Sequence, residues 1–162
     1  MNEAQFWKII ESSWQVVGEH ANERQILTAG KLSAERAEEL TQSMSEVIPD
    51  LEERLEKLSE EELLAFDRIL ERKLYNIDRE EIHEHTDGSD DGFLYARGFI
   101  VAAGQGYYEA VNREPALAMS DLECEDMCYV SWRIYRRKFG EVPSSGISRE
   151  TDDNKQGWVE QA

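Results

Sequence analysis

The chain has 162 residues, is 40% hydrophobic and carries a formal net charge of −17. Its length suits one domain, and its apolar share, with four Trp, six Tyr and five Phe, argues against global disorder. A charge this negative repels phosphates and anionic lipid heads, which sets nucleic acid and membrane surfaces aside and favours a basic protein partner.

Taken in chain order, the apolar pattern is helical throughout. Phe6, Ile9, Ile10, Trp14 and Val17 recur at helical spacing and predict a first helix from about Glu3 to Val17, ended by Gly18. Trp7 widens that face or sits at its edge. A short segment, Asn22 to Leu32, follows and ends near Gly30. Ser33 is the expected N-cap of the next helix, whose buried side is marked by Leu40, Met44, Val47 and Ile48. Pro49 lacks the donor a helix interior needs and is expected to end or kink it. Leu51, Leu55 and Leu58 continue the pattern.

Ser59 to Glu62 reads as a capping box, Ser and then Glu three residues on. The stripe Leu63, Phe66, Ile69, Leu70, Leu74 and Ile77 predicts the longest helix, reaching about Glu84. His83 to Gly92 is a loop by composition. Phe93, Ala96, Phe99, Ile100, Ala103 and Tyr107 resume the helical period. Gly98, Gly104 and Gly106 cost helix stability there, which implies close packing against a neighbouring helix. The last predicted helix runs from about Asp121 to Phe139, with Gly140 as its C-cap and Arg133, Arg136, Arg137 and Lys138 complementing the helix dipole. From Glu141 to Ala162 the chain is a polar tail, with Trp158 packing on the domain or on a partner.

No strand alternation persists and no repeat occurs. The expected fold is all-α: a single helical bundle of five or six helices over residues 1–140 and a polar C-terminal tail over 141–162. Met1 to Ile10 lacks a basic start and a long apolar stretch, and no segment approaches the roughly 20 apolar residues of a membrane span. Cys124 and Cys128 sit one turn apart, a poor geometry for a disulfide, and read as reduced, partly buried thiols. The expected location is the cytoplasm.

Between Glu35 and Asp91 there are 20 Asp or Glu against 7 Lys or Arg, a local net of −13 in about a third of the chain. Either this is a solvated surface with scattered helical ion pairs, or it is a negative face that steers a cationic partner. On the second reading the partner-binding residues are Glu38, Glu39, Glu46, Asp50, Glu52, Glu53, Glu56, Glu60, Glu61, Asp67 and Glu71, and the free protein is a monomer.

Chemistry is harder to place. His83, His85, Asp87, Asp90 and Asp91 are metal-ligating types, so a small metal-dependent enzyme or sensor centred on that loop is one alternative function, and a helical adaptor or self-associating regulator is the other. Their spacing matches no familiar metal motif, and the run is not an EF-hand loop. Ser89, Asp90, Asp91 and Arg97 read better as a helix-start network, with a carboxylate capping the free amides and Arg97 one or two turns on to pair with it. A nucleophilic cysteine needs a histidine base, and nothing brings His20, His83 or His85 near Cys124 or Cys128. No catalytic residue, metal site or cofactor is assigned.

Several stretches together resemble a bacterial family known as a domain of unknown function, number four-two-four-zero. They are Phe6-Trp7, Leu58 to Glu62 with Phe66, the specific core Ser89-Asp90-Asp91-Gly92-Phe93-Leu94-Tyr95-Ala96-Arg97-Gly98-Phe99, then Tyr108-Glu109-Ala110, Glu123-Cys124-Glu125 and Tyr135. The resemblance covers about Met1 to Gly140, and the segment from Ser33 to Asp50 looks like an insertion or a lengthened helix. It implies a helical fold without an established catalytic activity. Small acidic proteins of this kind are similar to the immunity proteins of bacterial toxin systems, so the resemblance implies a protein that binds a cognate toxin and occludes its active site or target-binding surface.

Overall fold

A computed structural model describes residues 1–86 and 88–158, and the side chains of all of these but 19–22. Among the described residues the protein is all-α, as expected, and built from α1 (Glu3–Ser13), α2 (Ala21–Thr28), α3 (Ala34–Glu56), α4 (Glu60–Asn76), α5 (Glu80–His83), α6 (Asp90–Ala102), α7 (Gln105–Arg113) and α8 (Glu125–Phe139). No helix among them is long and apolar enough to cross a membrane.

The caps explain most of the helix starts. The Asn2 side chain and Gln5 form a reciprocal capping box at α1, and Ser59 and Glu62 form the predicted one at α4. The Ser59 amide holds the Glu62 carboxyl below its ordinary pKa. Ser33 and Ser89 cap α3 and α6 by accepting the amides of Arg36 and Gly92.

The apolar stripes converge on α8, which packs against α3, α4 and α6. Leu40, Leu51 and Leu55 of α3, Leu63, Phe66, Leu70 and Leu74 of α4, Phe93 and Phe99 of α6 and Met127 and Val130 of α8 are all buried. Full burial of such a side chain stabilises by about 1.5–3 kcal/mol. Phe6 packs tilted against Phe66, and Trp7 is buried rather than at an edge.

The boundaries differ from the predicted ones where a tertiary contact overrides the pattern. The first α-helix stops at Ser13 and passes into 3-10 geometry from Trp14, whose Nε1 donates to the Ala102 carbonyl at 2.7 Å; the non-helical backbone of Gly18, at φ 57°, interrupts the run where the sequence places its end. Helix α3 continues through Pro49 to Glu56; Pro49 and Ser45, whose carbonyl loses its usual donor there, are both exposed residues. This makes α3, at 23 residues, longer than α4, which ends at Asn76 rather than near Glu84. The turn after α4 carries Asp78 inward, fully buried. The predicted helix through Phe93 and Tyr107 breaks into α6 and α7 at Gly104, whose φ of 106° an L side chain rarely adopts. Helix α8 begins four residues later than predicted: Asp121 has φ 63°, and the Cys124 amide donates to Tyr95 O at 2.9 Å.

Gly98 packs as the pattern implied. A Cβ there would run into the Cys124 carbonyl and lie 2.6 Å from Cys128 Sγ, so the α6–α8 approach depends on its absence. Gly106 has no such neighbour, its nearest atom lying at 3.9 Å.

The segment from Glu141 to Trp158 lies back across α4, α6 and α8. Arg149 is 6% exposed, and Trp158 packs against His83 and Phe93.

Candidate functional site

The acidic span divides into three populations once the helices pack. On α3, Ala37, Leu40, Met44, Val47 and Leu51 turn inward, which leaves Glu38, Glu39, Glu46 and Glu53 on the opposite, exposed side. Glu61 is exposed in the first turn of α4. These five carboxylates form no ion pair among the described residues.

A second population is engaged by cations of the chain itself. Asp50 pairs with Arg54 at 2.6 Å within α3. The basic end of α8 reaches across the α3–α4 junction: Arg133 lies 3.7 Å from Glu52, Arg137 pairs with Glu56, and Lys138 donates to the Glu56 carbonyl at 2.7 Å. Tyr135 Oη donates to Glu60 Oε1 at 2.9 Å, and that bond pushes the phenol pKa up. The predicted face therefore loses Asp50, Glu52, Glu56 and Glu60 to internal partners, because the basic run of α8 does more than complement its own dipole. Exposed pairs of this kind contribute about 0–1 kcal/mol each.

The third population corrects the prediction most. Asp67 and Glu71, expected on the solvent face, are 0% and 8% exposed. Arg149 Nη2 lies 3.3 and 3.2 Å from the two Asp67 oxygens and 3.7 Å from Glu71 Oε1. Its Nη1 donates to the Cys128 carbonyl. Ser131 Oγ donates to Asp67 Oδ1 at 2.8 Å, and Ser145 Oγ donates to Glu71. A buried carboxylate is stable only when paired and hydrogen-bonded, and this arrangement meets both conditions. The cluster floors a cleft of about 330 Å³ walled by Tyr129 and Trp132 of α8 and by the loop over 142–150. With both carboxylates paired to Arg149, the centre ties the C-terminal segment to α4 and α8.

A matching anchor lies one turn beyond α4. Asp78 accepts the amides of Asp152 and Asn154 at 3.1 and 2.9 Å and Trp158 Nε1 at 3.0 Å. Arg97, fully buried beside it, donates to Leu74 O at 2.9 Å and to Thr151 Oγ1 at 3.1 Å, and its guanidinium lies 4.8 Å from the Phe93 ring. Burial lowers the Arg97 pKa, and the Asp78 charge opposes that shift. The expected helix-start network is corrected accordingly. Ser89 is the cap, Asp90 and Asp91 are exposed first-turn residues, and Arg97 turns away from both carboxylates. Only the Asp90 backbone joins the network, its carbonyl accepting Thr151 Oγ1 at 2.7 Å.

The histidine loop offers no converging ligand set. His83 packs edge-on against Phe93 and tilted against Trp158, His85 is exposed, and Asp87 lies outside the described residues. Among the described residues no three His, Cys, Asp or Glu side chains gather as a metal would require. Cys124 and Cys128 are buried, and burial pushes both thiols up to about 12. A nucleophile needs the opposite shift.

The family model described as Protein of unknown function (DUF4240) matches residues 1–137. No curated protein matches the chain, and no solved structure does.

Proposed function

We propose that this chain, which belongs to the family described as Protein of unknown function (DUF4240), works in the cytoplasm by binding a basic protein rather than by catalysis, and that it does so with the outer face of α3. Its most specific form is that of an immunity protein: the partner is a cognate toxin, and the acidic face covers the cationic surface with which that toxin reaches its substrate or target. The observation that carries this reading is selective. Within one acidic span, the chain's own cations engage Asp50, Glu52, Glu56, Asp67 and Glu71, while Glu38, Glu39, Glu46, Glu53 and Glu61 stand exposed with no ion pair among the described residues. Charges held in solvent with no internal counterion add little to the fold, and they attract a cationic surface and speed its approach.

The test is co-purification of the tagged protein with the product of the adjacent gene at low salt, followed by association kinetics. The expected result is a stable complex whose association rate falls steeply as salt rises, since the Debye length shrinks from about 30 Å at 0.01 M to about 8 Å at 0.15 M. A complex that forms at a rate indifferent to salt, or no complex with any basic protein, overturns the reading.

A further inference from the structure

Beside the exposed row of α3 lies a groove of about 550 Å³, between the first turns of that helix and the segment leading into α8. Its volume falls within the roughly 300–1,000 Å³ of ordinary ligand pockets. One wall is Ala34, Ala37, Glu38 and Thr41, and the other is Met119 to Leu122. Small side chains on α3 open the groove, and Ala37, Leu122 and Met119 make its floor apolar.

The second wall is fixed. Tyr107 Oη donates to Leu117 O at 2.9 Å at one end, and the Cys124 amide donates to Tyr95 O at 2.9 Å at the other. Between them Asp121 is held at φ 63°, in the left-handed region, with its carboxylate exposed on the rim opposite Glu38. The groove is thus formed before any partner arrives.

Its charge selects the occupant. From Glu114 to Trp132 the sequence holds five acidic residues and no Lys or Arg. Asp126 is taken by Arg133 at 2.9 Å, but the rim residues Glu38 and Asp121 have no ion pair among the described residues. On the facing helix Arg36 is turned toward Glu23, 3.9 Å away.

We infer that this groove is the specificity pocket of the acidic face: it takes one apolar side chain from the basic partner, with Lys or Arg residues on either side of it meeting Glu38 and Asp121. This inference rests on the reading of α3 as a partner face and adds to it a place where shape, not charge alone, is recognised. Apolar anchors seated in preformed pockets dominate the affinity of many interfaces, while rim charges set the rate of approach.

The experiment compares two short synthetic peptides of equal charge, one alternating Leu and Lys in an amphipathic pattern and one with Ala in place of Leu. Each is titrated into the isotope-labelled full chain while amide shifts are followed. The expected result is saturable movement of Ala37, Thr41, Met119, Ser120 and Leu122 with the Leu peptide, and affinity weaker by about tenfold for the Ala peptide. Thr41→Trp, which fills the groove, weakens the Leu peptide by about tenfold or more. If that variant fails to fold, the paired neutralisation Glu38→Gln with Asp121→Asn, which touches no buried group and keeps at 121 a residue that tolerates the left-handed φ, weakens the Leu peptide severalfold. Equal binding of both peptides, with shifts spread along Glu39, Glu46 and Glu53, overturns the groove and leaves the acidic-face reading standing. No binding of either peptide at low salt overturns both.

Discussion

Glu38, Glu39, Glu46 and Glu53 on α3 stand in solvent, whereas Asp67, Glu71 and Asp78, on and just after α4, are at most 8% exposed and closed over by the C-terminal segment. Both groups come from the same acidic span and are the same kind of residue. What separates them is a cation or a set of donors brought from far along the chain. Arg149 is 82 residues from Asp67, and the amides that fill Asp78 come from 74 and 76 residues away. A carboxylate with such a partner becomes part of the fold, and one without it remains available to another molecule.

The buried side of this comparison breaks most severely at Arg149. Replacing it with Ala leaves Asp67 buried without its counterion, and the expected loss of stability is about 3–5 kcal/mol in chemical denaturation. Pairing Arg149→Met with Asp67→Leu should recover most of that loss, since removing both charges removes the penalty. A mild Arg149→Ala variant would mean that the segment over 141–158 is not anchored where the structure places it.

Asp78→Ala should cost about 3 kcal/mol, because three donors and the buried Arg97 lose their acceptor charge together. Trp158 fluorescence should shift to the red in the same variant as the indole N–H is released toward water. An unchanged emission spectrum would place Trp158 elsewhere.

The dryness of the buried side is read by its thiols. Cys128 lies beneath Arg149 and, like Cys124, has its pKa pushed up to about 12 by burial. Reaction with a thiol reagent at pH 8 should be roughly a hundredfold slower in the folded than in the unfolded protein, equivalent to about 2.7 kcal/mol. The folded pKa lies above the unfolded value of about 8.5, so the thiol contribution is fully present below pH 8.5 and is lost as pH rises toward 12. A Tm that stays level from pH 8 to about 10.5 would contradict this.

The exposed side should respond least. Glu38→Gln, Glu39→Gln, Glu46→Gln and Glu53→Gln, singly or together, should move stability by no more than about 0.5 kcal/mol per site. Their effect belongs in the association rate with a basic partner, which should fall with each charge removed. A large stability loss from any one of them would move that residue into the internal network.

Much of the fold is legible in the order of residues. The helical period places Leu40, Leu55, Phe66, Leu74 and Phe93 inside, and the Ser-to-Glu spacing marks the start of α4, because these follow from local geometry and from the removal of apolar surface from water. A trace of the buried ionic centre is there too. Asp67 follows Leu63 by four residues and precedes Leu70 by three, so it sits on the apolar stripe and not opposite it. Glu71 shares that side. Charge counted along the sequence hides this, since a count does not record which side of a helix each carboxylate occupies.

Other features required the packed chain. Pro49 reads as an end or a kink, yet α3 runs on through it to Glu56 on its exposed side. Gly104 reads as one more glycine in a helix, yet its positive φ separates α6 from α7. The polar run after Gly140 has no period, so nothing local marks Arg149, Thr151, Asn154 and Trp158 as the residues that close over α4 and α6. By itself the sequence determined an all-α fold, its core stripes, its caps and its net charge, all of which depend on residues a few positions apart. Which carboxylates are sealed inside and which stand in solvent was decided only in the tertiary structure. The free energy of a charge depends on its burial and on its counterion, and here both arrive from more than seventy residues away.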